Sequence, residues 1–393
     1  MQEMNQILSI ITQLEVIIAA LKTRSLSDSD MENVRQTVLE VNSILYHSSF
    51  LKLMGEDYLK GEDFQKSAEE LESLVKIWKC TINRRYGKHV DAEFWEIYEF
   101  FKYVDQDVIY ERVKNCFLGL PEALRIDFLA LPHRYTFLKE KLDFVKEDYS
   151  LIRIHVEMMA DHIDDYQWLY MHLADYRSKM VLNGIIKYWF SFDVNKLHTL
   201  LENTFLDYYD LDILQCNEKD TMVDLGAYTG DSILDYINTY GAYKKIYAYE
   251  ITKGIYETCK ENLSEFPDII FRRKGIGSKR GIMYIDSGNH GAGNKLLEDG
   301  DDEIEVVSLD EDIAEQVSVI KMDIEGAEKE AILGAKAHIV NEKPKLLISA
   351  YHNPEDLFEL PKLIDTLRDD YKFYLRFNGH GCLWPCDYVL FAV

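Results

Sequence analysis

The chain has 393 residues, and its 44 Lys and Arg against 69 Asp and Glu give a formal net charge of −25. At about 100–200 residues per domain this length predicts two domains, and a hydrophobic fraction of 47% is enough to fill two cores. The acidic excess argues against a nucleic-acid-binding protein and against electrostatic docking on an anionic membrane, because both need a basic face.

The beginning of the sequence predicts no export. The first ten residues, MQEMNQILSI, contain no positively charged segment, and the apolar run from Val16 to Leu21 is too short to span a bilayer. The six cysteines include no CxxC pair, and Cys382 and Cys386 lack the His or Cys partners of a zinc site. We therefore expect free thiols, no assigned metal and a cytoplasmic protein.

Residues 1–150 are expected to form a helical domain. An apolar residue recurs at steps of three or four at Ile7, Ile11, Leu14, Ile18 and Leu21. This spacing favours a helix packed on its own domain, with a homodimer seam through the N-terminal helices as the alternative. A second helix is predicted after 27–30, with Val34, Val38, Val41 and Leu45 on one face, and further helical stretches at 64–86, 92–116 and 138–151.

The region 151–215 is expected to be a helical lead-in to a catalytic domain at 216–393. Strands are predicted at 221–225, 245–249, 269–273, 317–322 and 346–350, helices at 231–240, 254–263, 327–337 and 357–367, and a closing pair of strands at 372–377 and 388–393. This alternation predicts an α/β fold with a doubly wound, Rossmann-like parallel sheet that ends in an antiparallel hairpin. The Gly-rich stretch 281–302 is expected to be a lid over the ligand, with a simple hairpin turn as the alternative.

The first predicted strand runs into a glycine turn that is typical of a ligand site. Gly226 and Gly230 allow a tight turn, and the following helix start can donate N–H groups to a carboxylate. Asp224 at the strand tip is placed to accept a hydrogen bond from an ammonium group. The spacing is GxxxG and not GxGxxG, which disfavours a pyrophosphate ligand.

Glu250 ends the second predicted strand, 26 positions after Asp224 (250 − 224). A carboxylate at this place can accept hydrogen bonds from both hydroxyls of a ribose. Together with the glycine turn it predicts an adenosine-type ligand with a carboxylate-bearing tail, namely S-adenosylmethionine.

Two later strands are expected to deliver polar side chains to the same crevice. Asp323 and Glu325 follow one strand, and His352 follows the next. His352 is the first candidate for a general base because its ordinary pKa is about 6.5, and Asp323 is the second, as base or as orienter of the histidine. His352 as a cap of the helix after Pro354, and a divalent metal that polarises the acceptor, are the alternatives.

Three segments together resemble the FkbM-type methyltransferase family. They are the string from Asp224 to Asp231 (DLGAYTGD), the pair Tyr249-Glu250, and the string from Lys321 to Glu328 (KMDIEGAE). The resemblance covers about residues 160–393 and implies an S-adenosylmethionine-dependent enzyme with a class I methyltransferase sheet, usually an O-methyltransferase. A C-terminal hairpin is typical of that sheet, whereas a dinucleotide dehydrogenase would continue with another βαβ unit.

The resemblance also implies the cofactor contacts. The methionine moiety is assigned to Asp224, Gly226, Ala227, Gly230 and Asp231, the ribose to Glu250, and the adenine to Gly275 and Ile276. Tyr228 and Ile251, which adjoin these residues in the sequence, complete the predicted cofactor-binding set. The predicted catalytic set is His352, Asp323 and Glu325.

The reaction predicted for the chain is methyl transfer to a hydroxyl of a sugar, a glycan or a secondary metabolite. A methyltransferase that acts on a protein is one alternative. A helical interaction protein with a vestigial cofactor fold is another, although acidic residues at three strand ends argue against it. No motif names the acceptor.

Overall fold

The computed structural model describes residues 10–11, 13–15, 17–18, 28–45, 68–69, 71–78, 89–130, 149–285, 296–379 and 386–393. The described residues form two compact units. The first contains those up to Gly119 together with Ile152–Ile163 and Ile186–Phe192, and the second contains the described residues of Leu120–Leu151, Asp164–Ile185 and Asp193–Val393.

Helices dominate the chain before the sheet. They are α1 (Asp28–Leu45), α2 (His89–Tyr103), α3 (Gln106–Leu118), α4 (Glu122–Leu129), α5 (Ser150–Asp161), α6 (Ile163–His172), α7 (Tyr176–Ser191) and α8 (Val194–His198). In the first unit, aromatic side chains such as Phe100 and Phe190, whose ring centroids are 5.0 Å apart, fill the core. None of the helices among the described residues combines the length and the apolarity needed to cross a membrane.

The helical predictions are met in part. Val34, Val38 and Val41 are buried on one face of α1 as predicted. Ile11, Leu14 and Ile18 are also buried, which supports the helix packed on its own domain, while the homodimer stays a prediction. Ile7, Leu21, the side chain of Leu45 and most of the stretch 138–151 lie outside the described residues.

The helical stretch predicted at 92–116 is observed as two helices, α2 and α3, with a short break between them. The break is explained by Asp105, whose carboxylate accepts a hydrogen bond from the Asp107 N–H at 3.0 Å and caps α3. A capping side chain of this kind favours a new helix start over continuation of the previous helix.

The second unit is built on a seven-stranded sheet in the order β3-β2-β1-β7-β8-β10-β9. Its strands are β1 (Thr221–Leu225), β2 (Lys245–Tyr249), β3 (Ile269–Arg272), β7 (Val319–Met322), β8 (Lys345–Ser349), β9 (Phe373–Phe377) and β10 (Tyr388–Ala392). β10 runs antiparallel to both of its neighbours, and the other pairs are parallel. β1, buried at all five positions, is a continuous apolar-rich run, as expected for a parallel strand covered on both faces.

The predicted α/β fold with a mostly parallel sheet and a helical N-terminal region is therefore confirmed. The antiparallel pairing of β9 with β10 agrees with the predicted hairpin, although residues 380–385 of its turn lie outside the described residues. Helices α9 (Asp231–Tyr240), α10 (Lys253–Asn262), α11 (Leu309–Asp312), α12 (Glu328–Gly334), α13 (Lys336–Glu342) and α14 (Asp356–Leu367) connect the strands.

A second, three-stranded sheet was not predicted. It has the order β4-β6-β5 and contains β4 (Gly275–Ile276), β5 (Gly281–Ile285) and β6 (Asp302–Val307). The prediction of a lid over 281–302 is therefore wrong at its ends, which belong to β5 and β6. Residues 286–295 between them lie outside the described residues.

Candidate active site

The strand register brings the carboxyl ends of four strands together at one edge of the large sheet, and with them the predicted residues Gly226, Glu250 and Asp323. Leu225 pairs with Tyr249 and with Met322, and Met322 pairs with Ile348. The residues that follow these strand ends are therefore neighbours, and they are Gly226, Glu250, Asp323 and Ser349. Ligands of open α/β sheets bind beyond this carboxyl edge.

Gly226 lets the first of these strand ends approach the third. Its φ is +80°, and a Cβ atom built at this position would lie 1.9 Å from the Asp323 carbonyl oxygen. A side chain therefore does not fit, and the β1–α9 turn packs directly on the end of β7. Within the turn, Gly226 and Ala227 donate to the Tyr249 carbonyl, and Gly230 donates to the Ala227 carbonyl, so these three N–H groups are engaged in the protein. The expectation that the start of the following helix donates N–H groups to a carboxylate stays a prediction.

A cavity of about 460 Å³ opens at this edge. Nine of the predicted site residues line it, namely Gly226, Tyr228, Asp231, Glu250, Ile251, Gly275, Ile276, Asp323 and Glu325. The other four predicted residues, Asp224, Ala227, Gly230 and His352, are buried beside the cavity without lining it. The volume lies within the range of about 300–1,000 Å³ that is typical of small-molecule sites.

Asp224 is engaged within the protein rather than aimed at a ligand. Its carboxylate accepts a hydrogen bond from the Ser232 hydroxyl at 2.5 Å and lies 3.0 Å from the Lys321 Nζ. Lys321 also donates to the Gly226 carbonyl at 2.7 Å. Burial alone would lower the pKa of Lys321, but Asp224 and Asp323 raise it above its ordinary value, so its ammonium group stays charged. Asp224 thus holds Lys321 under the glycine turn, and the predicted contact with a ligand ammonium has no support in this geometry.

Glu250 lies in the cavity wall with its carboxylate fixed by backbone groups. Thr252 donates its N–H to Oε1 at 2.7 Å, and Tyr228 donates its N–H to Oε2 at 3.2 Å. Burial raises the pKa of Glu250, and these two N–H donors oppose that effect. Each carboxylate oxygen accepts more than one hydrogen bond, so Glu250 can still accept from a diol.

Three non-glycine residues of the cavity wall have left-handed backbone conformations. Tyr228, Glu325 and Asp387 have φ values of 45°, 56° and 58°. Such conformations are uncommon for residues with a Cβ atom, and they concentrate at functional sites, where the surrounding structure holds them in place.

Asp323 is the carboxylate most firmly oriented in the cavity. The Tyr208 hydroxyl donates to its Oδ2 at 2.8 Å and lies 3.0 Å from the Ser349 hydroxyl. Burial alone would raise the pKa of Asp323, but Lys321 and His352 hold it below its ordinary value. Asp323 is therefore ionised at neutral pH, and its side chain remains 28% exposed toward the cavity.

His352 lies behind Asp323 and not in the cavity wall. Its side chain is 1% exposed, with Nε2 at 3.4 Å from Asp323 Oδ1 and Nδ1 at 3.0 Å from Glu328 Oε1. Burial alone would lower the pKa of His352, but Glu328, Asp323 and Glu325 raise it to about 10. The reason given for His352 as a base, its ordinary pKa, therefore does not apply here, because an imidazolium has no lone pair to accept a proton.

The geometry also gives no support to the metal alternative. Both ring nitrogens of His352 face carboxylates, and the residues that the structure describes contain no cluster of three or more His, Cys, Asp and Glu that could hold a metal ion.

The cavity wall is acidic. Seven of its residues carry carboxylates, namely Asp207, Asp231, Asp235, Glu250, Asp323, Glu325 and Asp387. Its two lysines are both paired, Lys274 with Asp312 at 2.8 Å and Lys321 with Asp224 at 3.0 Å. The cavity therefore favours a cationic ligand over an anionic one.

Several cavity residues have no signal in the sequence. Tyr208, Asn378 and Asp387 line the cavity from segments on which no motif was identified, and Ser349 and Tyr351 line it from the segment that was singled out only for His352. Lys321 belongs to the string from Lys321 to Glu328, and Asp224 to the predicted cofactor-binding set. The ion pair between the two was not predicted.

Comparison with known proteins supports the motifs. Residues 224–374 match the family model described as the methyltransferase FkbM domain. The crystal structure of methyltransferase FkbM from Methylobacillus flagellatus KT is 25% identical with a TM-score of 0.52, over 61% of this chain and 62% of that chain. The chain thus spans about three fifths of that protein. The predicted family is confirmed for the matched residues.

Two further solved structures are similar at a lower level. An rRNA methylase from Streptococcus thermophilus is 12% identical with a TM-score of 0.29, over 45% of this chain and 87% of that chain. A Streptococcus mutans protein in complex with SAH is 11% identical with a TM-score of 0.29, over 46% of this chain and 91% of that chain. No curated protein matches the sequence.

Proposed function

We propose that this chain, whose residues 224–374 form an FkbM methyltransferase domain, is an S-adenosylmethionine-dependent O-methyltransferase with a class I sheet. The observation that carries the proposal is Glu250, a fixed carboxylate in a cavity at the carboxyl edge of β1, β2 and β7. The acceptor that we propose is a hydroxyl of a sugar, a glycan or a secondary metabolite.

The residues present fit this cofactor in shape and charge. Glu250 is placed to accept hydrogen bonds from the ribose hydroxyls. Apolar atoms for the adenine come from Ile251, Ile255, Ile276 and Leu296. The sulfonium and ammonium groups are positive, and the seven carboxylates of the cavity wall complement them. When bound, the cofactor supplies an activated methyl group, which leaves the sulfur as a new C–O bond forms.

Asp323 is the proposed catalytic residue. Its ionised carboxylate faces the cavity and can accept a hydrogen bond from the acceptor hydroxyl, which fixes the direction of the oxygen lone pairs. As the oxygen gains the methyl group, its proton passes to Asp323. Because a carboxylate with a lowered pKa is a weak base, we expect orientation to be its main contribution, with proton acceptance at the end of the transfer. Glu325, also in the wall, stays a candidate contact for the acceptor.

The first test is calorimetry with S-adenosylhomocysteine. Glu250→Ala removes an ionised acceptor of two hydrogen bonds, each worth about 1.5–3 kcal/mol, so we expect the affinity to fall by at least about tenfold. The affinity of Glu250→Gln for S-adenosylhomocysteine should lie between those of Glu250→Ala and the wild type, because glutamine keeps one acceptor oxygen. Glu257→Ala is the control, since Glu257 on the neighbouring helix α10 has a side chain that is 59% exposed.

Two results would count against the proposal. Equal affinity in Glu250→Ala and the wild type would remove the ribose assignment. A wild-type protein that binds NAD and not S-adenosylhomocysteine would overturn the proposed function, and a protein that binds neither would favour the vestigial fold.

A further inference from the structure

A buried carboxylate lies directly behind the histidine that faces Asp323. Glu328 has a side chain with no exposure, and its Oε1 is 3.0 Å from His352 Nδ1. His352 Nε2 is 3.4 Å from Asp323 Oδ1. The three side chains therefore form a row from the protein interior to the cavity, in the order Glu328, His352, Asp323, and Asp323 is the member that lines the cavity.

The same Glu328 oxygen also fixes the backbone beside Asp323. Ile324 donates its N–H to Glu328 Oε1 at 3.0 Å, across the turn between β7 and α12. This turn contains Glu325 and Gly326, whose φ values are 56° and 99°. Glu328 thus contacts both the residue after Asp323 and the side chain that faces it.

We infer that Glu328 and His352 are positioning residues, a buried pair through which Asp323 is held as an oriented carboxylate toward the acceptor. This inference rests on the proposed function for the role of Asp323. Neither residue of the pair lines the cavity, so both act through the wall residues that His352 faces, Asp323 at 3.4 Å and, less closely, Glu325 at 3.9 Å.

The charges around His352 agree with this role. Glu328, Asp323 and Glu325 face its ring with carboxylates, and the Tyr351 ring lies 4.4 Å from it between centroids. Asp356, held by Asn353, also acts on the pair, and burial together with Glu328 raises the pKa of Asp356 to about 7. A doubly protonated His352 directs one N–H at Glu328 and the other toward Asp323.

The test replaces Glu328 by Gln, which keeps an acceptor oxygen for the Ile324 N–H but removes the charge. Without this charge the pKa of His352 falls toward its ordinary value of about 6.5, because burial lowers it and only Asp323 and Glu325 still raise it. If its Nδ1–H donates to the new amide oxygen, its Nε2 lone pair faces the Asp323 carboxylate and repels it. We therefore expect His352 to be neutral at pH 8 in the variant and charged in the wild type, and the pKa of Asp323 to rise.

Both changes are measured on the full chain by NMR, from the ring nitrogens of ¹⁵N-labelled histidine and the carboxyl carbons of ¹³C-labelled aspartate. His352→Gln and Asp323→Asn assign the signals, and no acceptor is needed. Glu342→Gln is the matched control, because Glu342 Oε2 lies 2.8 Å from His338 Nδ1 and accepts the Val317 N–H at 2.8 Å, but neither residue lines the cavity. Glu342→Gln should leave the His352 and Asp323 signals unchanged.

Turnover gives the second measurement, with whichever neutral glycoside gains methyl mass in a screen. Glu328→Gln should lower kcat by at least about tenfold at pH 8, more than at pH 6, with KM and the affinity for S-adenosylhomocysteine within about twofold of the wild type. A His352 that stays charged in Glu328→Gln, or an Asp323 signal that does not move, would overturn the inference. Loss of S-adenosylhomocysteine binding in the wild type would instead overturn the proposed function.

Discussion

His352 illustrates how the surroundings of a residue decide its chemistry. It follows β8 as the sequence suggested, but three carboxylates surround it and its side chain is 1% exposed. Coulombic attraction outweighs the desolvation of the imidazolium, so the pKa of His352 rises to about 10. A histidine in this state donates hydrogen bonds and supplies positive charge, and the general base that we propose is its neighbour Asp323.

This raised pKa predicts a pH dependence of stability. The folded-state pKa of His352, about 10, is above its unfolded value of about 6.5, so its contribution to stability is complete below pH 6.5 and is lost as the pH rises toward 10. We expect the titration of His352 to contribute up to about 1.4 kcal/mol per pH unit to a fall in the free energy of unfolding between pH 7.5 and 10. The thiols of Cys216 and Cys259, whose pKa values burial raises, add to this fall. The window avoids Asp356, whose pKa is about 7.

Urea denaturation at several pH values measures this slope. His352→Gln, which cannot titrate, should show a smaller slope than the wild type over the same window. Asp323 does not affect this window. Its lowered pKa contributes stability that is present above the ordinary pKa of an aspartate and is lost only as the pH falls through the lowered pKa. Parallel curves for the variant and the wild type would show that His352 is not held in its charged form.

A buried arginine on β9 is one of the contacts that join the edge of the sheet to the preceding segment, beside backbone hydrogen bonds such as the one from the Ala174 N–H to the Phe373 carbonyl. Arg376 on β9 donates to Asp210 Oδ2 at 2.6 Å, to Asp175 Oδ2 at 2.9 Å and to the Ser178 hydroxyl at 3.0 Å. Its side chain is 3% exposed, and that of Asp210 is 2% exposed. These contacts therefore connect β9 to residues that lie 166 to 201 positions earlier in the chain.

Removal of one partner from such a buried pair leaves uncompensated charge. We expect Arg376→Met to lower the free energy of unfolding by about 3–5 kcal/mol. Arg280→Met is the control, because Arg280 is 65% exposed and pairs with Glu305 at 3.4 Å, so its loss should cost at most about 1 kcal/mol. Denaturant unfolding measures both, and equal losses would mean that burial of Arg376 contributes nothing beyond a surface ion pair.

The sequence predicted the strands of the large sheet better than the three-stranded sheet and the helices α12 and α13. The predicted bounds of β1, β2 and α9 coincide with the observed ones, because each is a short apolar-rich or amphipathic run between Gly or polar residues. β5 was missed because its sequence, GIMYI, was assigned to the Gly-rich stretch 281–302, although its isoleucines and tyrosine favour a strand. The helix predicted at 327–337 is in fact α12 and α13, broken at Ala335, where Gly334 packs so close that a Cβ atom would lie 2.1 Å from the Gly277 carbonyl oxygen.

Long-range contacts explain what no local pattern predicted in the site. The motifs identified Glu250, Asp323 and the glycine turn, since each stands next to a strand end in the sequence. Tyr208 precedes its partner Asp323 by 115 positions, and nothing in its own neighbourhood marks it as a cavity residue. The ion pair between Lys321 and Asp224 was not predicted either, because the two residues are far apart in the sequence.

Charge acts at the scale of the whole molecule as well as in the cavity. The chain carries a net charge of −25, and the cavity wall adds seven carboxylates against two paired lysines. An anionic acceptor would be repelled on approach and again in the cavity. The acceptor that we expect is therefore an uncharged or cationic hydroxyl compound, and a nucleotide-linked or sulfated sugar is disfavoured.

A paired acceptor screen tests this preference. Neutral glycosides and their sulfated or nucleotide-linked counterparts are incubated with S-adenosylmethionine, and the gain of one methyl mass is measured. We expect kcat/KM to be at least about tenfold higher for the neutral member, and the ratio to shrink in high salt because ions screen the repulsion. Preference for the anionic member, or a ratio independent of salt, would contradict this expectation.

Tyr208 has a practical consequence for work on this protein. The strands begin at Thr221, so a truncated chain that starts just before them would seem to keep the whole parallel sheet. Such a fragment would lack the phenol that donates to Asp323, and also Asp175, Ser178 and Asp210, which hold Arg376. The smallest portion worth expressing alone therefore begins well upstream of the sheet, and a weak or inactive shorter fragment would say little about the full chain.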